Sequence, residues 1–171
     1  MRKWKKSRDK LNLDGTDIKE YLTFVADLLE KERVWHMQDF RHHFDVSCLE
    51  HAFHVSFYSY RICAFLGLDY KAAARGALLH DFFLYDWRVE NFPEGKHAFV
   101  HPRIALMNGE NLVPLTEKER DIILKHMWPL TLKPPRYLES LIVSLVDKGC
   151  ALLEMSSSLA RLLPERWRPA R

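Results

Sequence analysis

The stretch Ala74-Arg75-Gly76-Ala77-Leu78-Leu79-His80-Asp81 decides the reading of this chain. Asp69 offers an N-cap just ahead of it, so a helix is predicted from Tyr70 to about His80. Ala73, Gly76 and Ala77 form a small-residue stripe that lets neighbouring backbones approach closely, which makes this helix central and buried. It delivers an imidazole and a carboxylate, His80 and Asp81, into that interior. A carboxylate so placed rarely stays buried without a partner.

Upstream, Ser47-Cys48-Leu49-Glu50 is a capping-box pattern that opens a helix running to about Leu66 and stopping near Gly67. His51 heads a stripe on it through Val55, Tyr58, Ile62 and Phe65. An imidazole there needs a hydrogen-bond partner or a metal, because a bare buried polar group costs roughly 1–3 kcal/mol. Taken alone, His51 reads more readily as a hydrogen-bonded core residue than as a ligand. Before it, a helix is expected from about Thr16 to Arg33, carrying Ile18, Leu22, Val25, Leu28 and Leu29 at helical spacing. Trp35, Met37 and Phe40 belong to a short helix or turn that leads into Arg41-His42-His43-Phe44-Asp45.

Downstream, residues 82–97 read as an aromatic and charged loop with Pro93 and Gly95. A helix is expected to start beside His101-Pro102, with the proline in its first turn. Thr116-Glu117-Lys118-Glu119 offers another capping box, for a helix carrying Ile122, Ile123 and His126, with Glu119 at its surface. Residues 128–136 hold three prolines and are non-helical. A last helix runs from about Tyr137 to Glu154 and carries Asp147 directly after the mostly apolar run 141–146.

These patterns predict an all-α helical bundle. A chain of 171 residues fits one domain with a real hydrophobic core. Its parts are an N-terminal helical extension over 1–40, a main domain over 41–155 and a basic tail over 156–171. The net charge of +3 gives no reason to expect a nucleic-acid partner, and its clusters at Arg2–Lys10 and Arg161–Arg171 read as solvated ends, with Trp4 and Trp167 among them. Cys48, Cys63 and Cys150 are odd in number and widely spaced, which fits buried, reduced thiols. No leader with an apolar segment and no membrane-length apolar run is visible, so a cytoplasmic protein is expected.

The predicted helices thus aim nitrogen or oxygen ligands inward, and another can add His101 from its first turn. Imidazole and carboxylate together suit Fe, Mn, Co, Ni or Zn, with Mg if water supplies much of the shell. His51, then His80-Asp81, then Asp147 resembles the H…HD…D signature of the HD superfamily of metal-dependent phosphohydrolases. The local blocks resemble it too: Glu50-His51-Ala52-Phe53-His54, the A-x-G-x-L-L-H-D pattern at 74–81, and Leu145-Val146-Asp147. The resemblance spans roughly residues 40 to 155. It implies an HD-type helical fold with His51, His80, Asp81 and Asp147 as metal ligands, and His80 and Asp81 at the catalytic centre.

His101 and His126 stand where the superfamily's binuclear branch holds a second ion. The resemblance therefore implies two divalent ions, with Asp81 bridging and His101 and His126 on the second. The alternative is one ion, with His101 and His126 touching substrate. There is no G-Y-P block and no H-D-x-G-K context, so cyclic-dinucleotide specificity is not implied.

The implied chemistry is attack by metal-activated hydroxide on a small phosphorylated substrate, a nucleotide or related phosphoester. His42, His43 and His97 are candidates to line the substrate pocket, and Arg103 and Lys148 to neutralise phosphate charge, with Lys125 a weaker candidate. The aromatic residues of 82–99 either stack a nucleobase or lid the core. His54 is expected beside the ligands or at the surface. Two rivals keep the scaffold: a diiron oxygenase using the same ligands, and an inactive nucleotide-binding module.

Overall fold

The computed structural model describes residues 15–43, 46–90, 92–93 and 95–162, with the side chains of 15, 16, 43 and 157–162 outside the described set. The basic ends, with Trp4 and Trp167, lie outside the described residues. Helices α1 (Gly15–Leu29), α2 (Glu32–Trp35), α3 (Cys48–Phe65), α4 (Tyr70–Leu79), α5 (His97–Glu110), α6 (Glu117–Lys125) and α7 (Leu138–Leu162) dominate the described residues. Two short strands, β1 (Arg41–His43) and β2 (Val46–Ser47), pair antiparallel just before α3. The fold is all-α.

Capping sets the helix starts. Ser47 accepts from the Glu50 N–H at the head of α3, and Asp69 accepts from the Ala72 N–H at the head of α4. Thr116 and Glu119 form a reciprocal capping box on α6. Helix α3 ends before Gly67, whose φ of 68° is the left-handed conformation glycine adopts without strain.

Helix α4 is the centre of the bundle, with seven of its ten residues buried. The small stripe acts as expected: a Cβ on Gly76 would lie 2.9 Å from the Ile122 side chain of α6. Ile18, Tyr21, Val25 and Leu28 of α1 share one core with Phe53, Leu78, Phe82 and Ile123, so residues 15–40 pack on the same core as the main domain. A second core joins Val55, Ala77, Ile122 and Val143. Cys48, Cys63 and Cys150 are buried thiols. Among the described residues no helix is long and apolar enough to cross a membrane.

Several expectations need correction. The first helix breaks after Leu29, because Lys31 turns to extended geometry (ψ 118°) and α2 starts afresh. Helix α5 starts one turn before Pro102; that first turn is closed by the Phe99 N–H donating to the Lys96 carbonyl. Helix α7 continues past Glu154 to Leu162. On α3 the stripe below His51 leaves the core: Tyr58, Ile62 and Phe65 are 47%, 40% and 89% exposed. The buried arc of that helix is centred on Ala52, Ser56, Ser59 and Cys63, with His51 at its edge. Finally, Glu119 is buried, because Arg75 of α4 reaches it with Nε at 2.6 Å while also pairing with Asp27.

Candidate metal centre

Helices α3, α4, α5, α6 and α7 bring His51, His80, Asp81, His101, His126 and Asp147 together, all buried. Helix α4 stops at His80, so the pair His80-Asp81 sits on the turn that leaves the helix and both side chains reach the centre.

Three of the imidazoles are held alike. His80 Nδ1 lies 2.7 Å from the Ala77 carbonyl, His101 Nδ1 2.9 Å from the His97 carbonyl, and His126 Nδ1 2.8 Å from the Ile123 carbonyl. A carbonyl only accepts, so each Nδ1 carries a proton and each ring turns its Nε2 to the centre. His80 Nε2 is buried and has no hydrogen-bond partner. His101 Nε2 and His126 Nε2 face each other at 2.8 Å. At that distance the two nitrogens share either a proton or a metal ion.

Asp81 divides the centre. Its Oδ1 lies 3.1 Å from His101 Nε2 and 3.4 Å from His126 Nε2, within ion-pairing distance of both rings. Its Oδ2 lies 2.9 Å from His42 Nε2 and 3.5 Å from His80 Nε2. On the far side, Asp147 Oδ1 is 3.0 Å from His51 Nε2 and 3.6 Å from His80 Nε2. The sets His51–His80–Asp147, His80–Asp81–His126 and His42–His51–Asp81 each have the donor types and spacing to hold a metal ion. An orphaned buried imidazole nitrogen beside two buried carboxylates fits a divalent cation.

The electrostatics point the same way. Burial pushes the Asp81 carboxyl up, but His80, His101, His126 and His42 outweigh it and hold it well below the usual range. Asp147 is likewise held low against burial by His51 and His80. Burial pulls His51 down, but Asp147 and Glu154 outweigh it and raise it to about 10; Asp81 and Asp147 raise His80 in the same way. The buried carboxylates demand positive charge at these nitrogens, whether a proton or a metal supplies it.

The centre opens into a cleft of about 280 Å³, lined also by His42, Trp87, His97, Met127 and Lys148. His97 stacks between Trp87 and His101, and Tyr85 Oη lies 3.1 Å from its Nδ1. Burial and the neighbouring His101 lower His97 to about 4, so it is a neutral wall of the cleft. Lys148 lines the cleft, but its Nζ already donates to the His126 carbonyl and to both oxygens of Ser144. Arg103 is not brought to the centre: it faces outward on α5 and lines a separate groove with Phe99 and Lys125. The His43 side chain lies outside the described residues.

His42, read from the sequence as a pocket-lining candidate, does line the cleft: β1 brings it in, and its ring stacks on His51 at 3.8 Å. One residue at the centre, Glu154, was not singled out by the sequence. Glu154 accepts from His51 through Oε2 at 2.9 Å. Its only sequence signal is a spacing of seven from Asp147, which puts both on one face of α7.

Compared with protein-family models, curated proteins and solved structures, the chain matches none of them. The buried cluster itself carries the functional argument.

Proposed function

We propose that this protein is a metal-dependent phosphohydrolase of the HD kind, acting on a small phosphoester such as a nucleotide. One observation carries the reading: His101 and His126 turn their Nε2 atoms to each other at 2.8 Å, across from the orphaned Nε2 of His80, with the Asp81 carboxylate between the two groups. This favours two ions over one. His51, His80 and Asp147 would hold one, His101 and His126 the other, with Asp81 spanning both. Fe, Mn, Co or Ni suit this nitrogen and oxygen set, and Mg is the weaker fit.

Bound there, such ions supply an activated water at neutral pH and positive charge at the phosphoryl oxygens. The chain's own part is to fix that geometry. The backbone carbonyls of Ala77, His97 and Ile123 lock the three ring orientations. Trp87 and His97 wall the cleft, and the Lys148 ammonium adds charge near Asp147 at 3.8 Å. Buried thiols at all three cysteines are compatible with a cytoplasmic enzyme.

A second reading, an oxygenase on the same ligands, is favoured by one feature. The cleft wall includes apolar Trp87, Ala98, Met127 and Ala151, while the donors of Lys148 are already engaged. One experiment separates the two: metal analysis of the purified protein, then a screen of nucleotides and other phosphoesters with Mn, Fe, Co, Ni and Mg, followed by oxygen uptake. Phosphate release that disappears in His80→Ala and Asp81→Ala supports the hydrolase. Oxygen uptake without phosphate release sinks it.

A further inference from the structure

The structure assigns Glu154 a positioning role at the metal centre: its carboxylate orients His51, and His54 holds that carboxylate in place. The assignment rests on the reading of His51 as a metal ligand. Glu154 is buried near the middle of α7, where a lone carboxylate would be costly. Its two oxygens are divided between two rings: Oε2 lies 2.9 Å from His51 Nδ1 and Oε1 3.1 Å from His54 Nδ1.

The pairing follows from two matched spacings. His51 and His54 lie three apart on α3, so both face α7. Asp147 and Glu154 lie seven apart on α7, two turns, so both face α3. The result is a clamp in which His51 is gripped at both nitrogens, by Glu154 at Nδ1 and by Asp147 at Nε2.

The consequence for His51 is specific. The carboxylate at Nδ1 fixes the proton there and leaves Nε2 as the ligand atom, beside Asp147 Oδ1. A backbone carbonyl does this for His80, His101 and His126, whereas His51 is the one of the four served by a carboxylate. Carboxylate partners of this type make the imidazole a better donor, and losing one typically weakens metal binding 10- to 100-fold. His54, three-quarters buried at its side chain, pins the second oxygen so that the carboxylate cannot rotate away.

The test is the Mn(II) dissociation constant, measured by chelator competition on the full chain, for the parent, Glu154→Gln and His54→Ala, with folding checked by circular dichroism. Glu154→Gln should bind roughly 10- to 100-fold more weakly, and His54→Ala should fall between it and the parent. Should Glu154→Gln not fold, Glu154→Asp replaces it, since the shorter side chain withdraws the carboxylate from His51 and should weaken binding in the same direction. A folded Glu154 variant with parental Mn(II) affinity overturns the assignment, even if its thermal stability is lower. A parent that binds no Mn(II) instead removes the metal-centre reading on which the assignment rests, and the assignment with it.

Discussion

His101 and His126 come from different helices and present their Nε2 atoms to each other at 2.8 Å, although each ring already commits its Nδ1 proton to a backbone carbonyl of its own helix. Burial lowers His126, which disfavours a second proton on its ring. Two imidazole nitrogens at that distance have the donor type and spacing to share a cation.

Metal should therefore stabilise the fold. Addition of a divalent ion at about 100 times its dissociation constant should contribute about 2.7 kcal/mol. In a domain of this size that corresponds to a rise in Tm of roughly 5–10 °C. The check is differential scanning calorimetry with Mn(II) against a chelated sample. An unchanged Tm would count against the centre.

Replacing Asp81 by Asn keeps the side-chain shape but removes the charge that faces both groups of imidazoles. Under the two-ion reading proposed above, bound metal per chain, measured by elemental analysis, should fall for both ions. His126→Gln should deplete one ion and leave the other.

The same centre makes the metal-free protein sensitive to pH from both sides. His51 is raised from 6.5 to about 10, so its contribution is complete below pH 6.5 and is lost as pH rises toward 10. Glu154 is lowered from 4.5 to about 2 against burial by His51 and His54, so its contribution is complete above pH 4.5 and is lost as pH falls toward 2. Chelated protein should be most stable between about pH 4.5 and 6.5. Thermal melts across pH check this, and Glu154→Gln should flatten the acid limb.

Gly76→Ala should destabilise by about 1–3 kcal/mol, because the new Cβ meets three carbons of Ile122 at 2.9–3.0 Å. The double variant with Ile122→Val should recover part of that loss. Urea unfolding of the two variants provides the measurement.

Arg75→Met should cost roughly 3 kcal/mol, since it takes the cation from Oε1 of the buried Glu119 carboxylate and removes the bond to the Phe24 carbonyl. The urea midpoint should drop while metal affinity in the folded protein stays near the parent's.

Much of this was legible along the chain. The caps at Ser47, Asp69 and Thr116, the small stripe of α4 and the positions of His51, His80, Asp81, His101, His126 and Asp147 are local patterns, because capping and helical periodicity act over three or four residues. Where the reading missed, the deciding contact was distant. Glu119 looked like a surface residue until Arg75, 44 positions away, reached it. Arg103 sits two residues from His101, and that spacing turned it to the opposite side of α5 once His101 faced inward.

The sequence by itself determined an all-helical chain and the six residues that converge, since their types and spacings fix which helix faces are buried. Only the tertiary structure decided which nitrogen of each ring faces the centre, that His42 pairs with Asp81, that Glu154 joins them, and that Lys148 is already engaged. Those outcomes depend on hydrogen-bond partners supplied by other helices and by backbone carbonyls, and residue order alone does not encode which of them come within 3 Å.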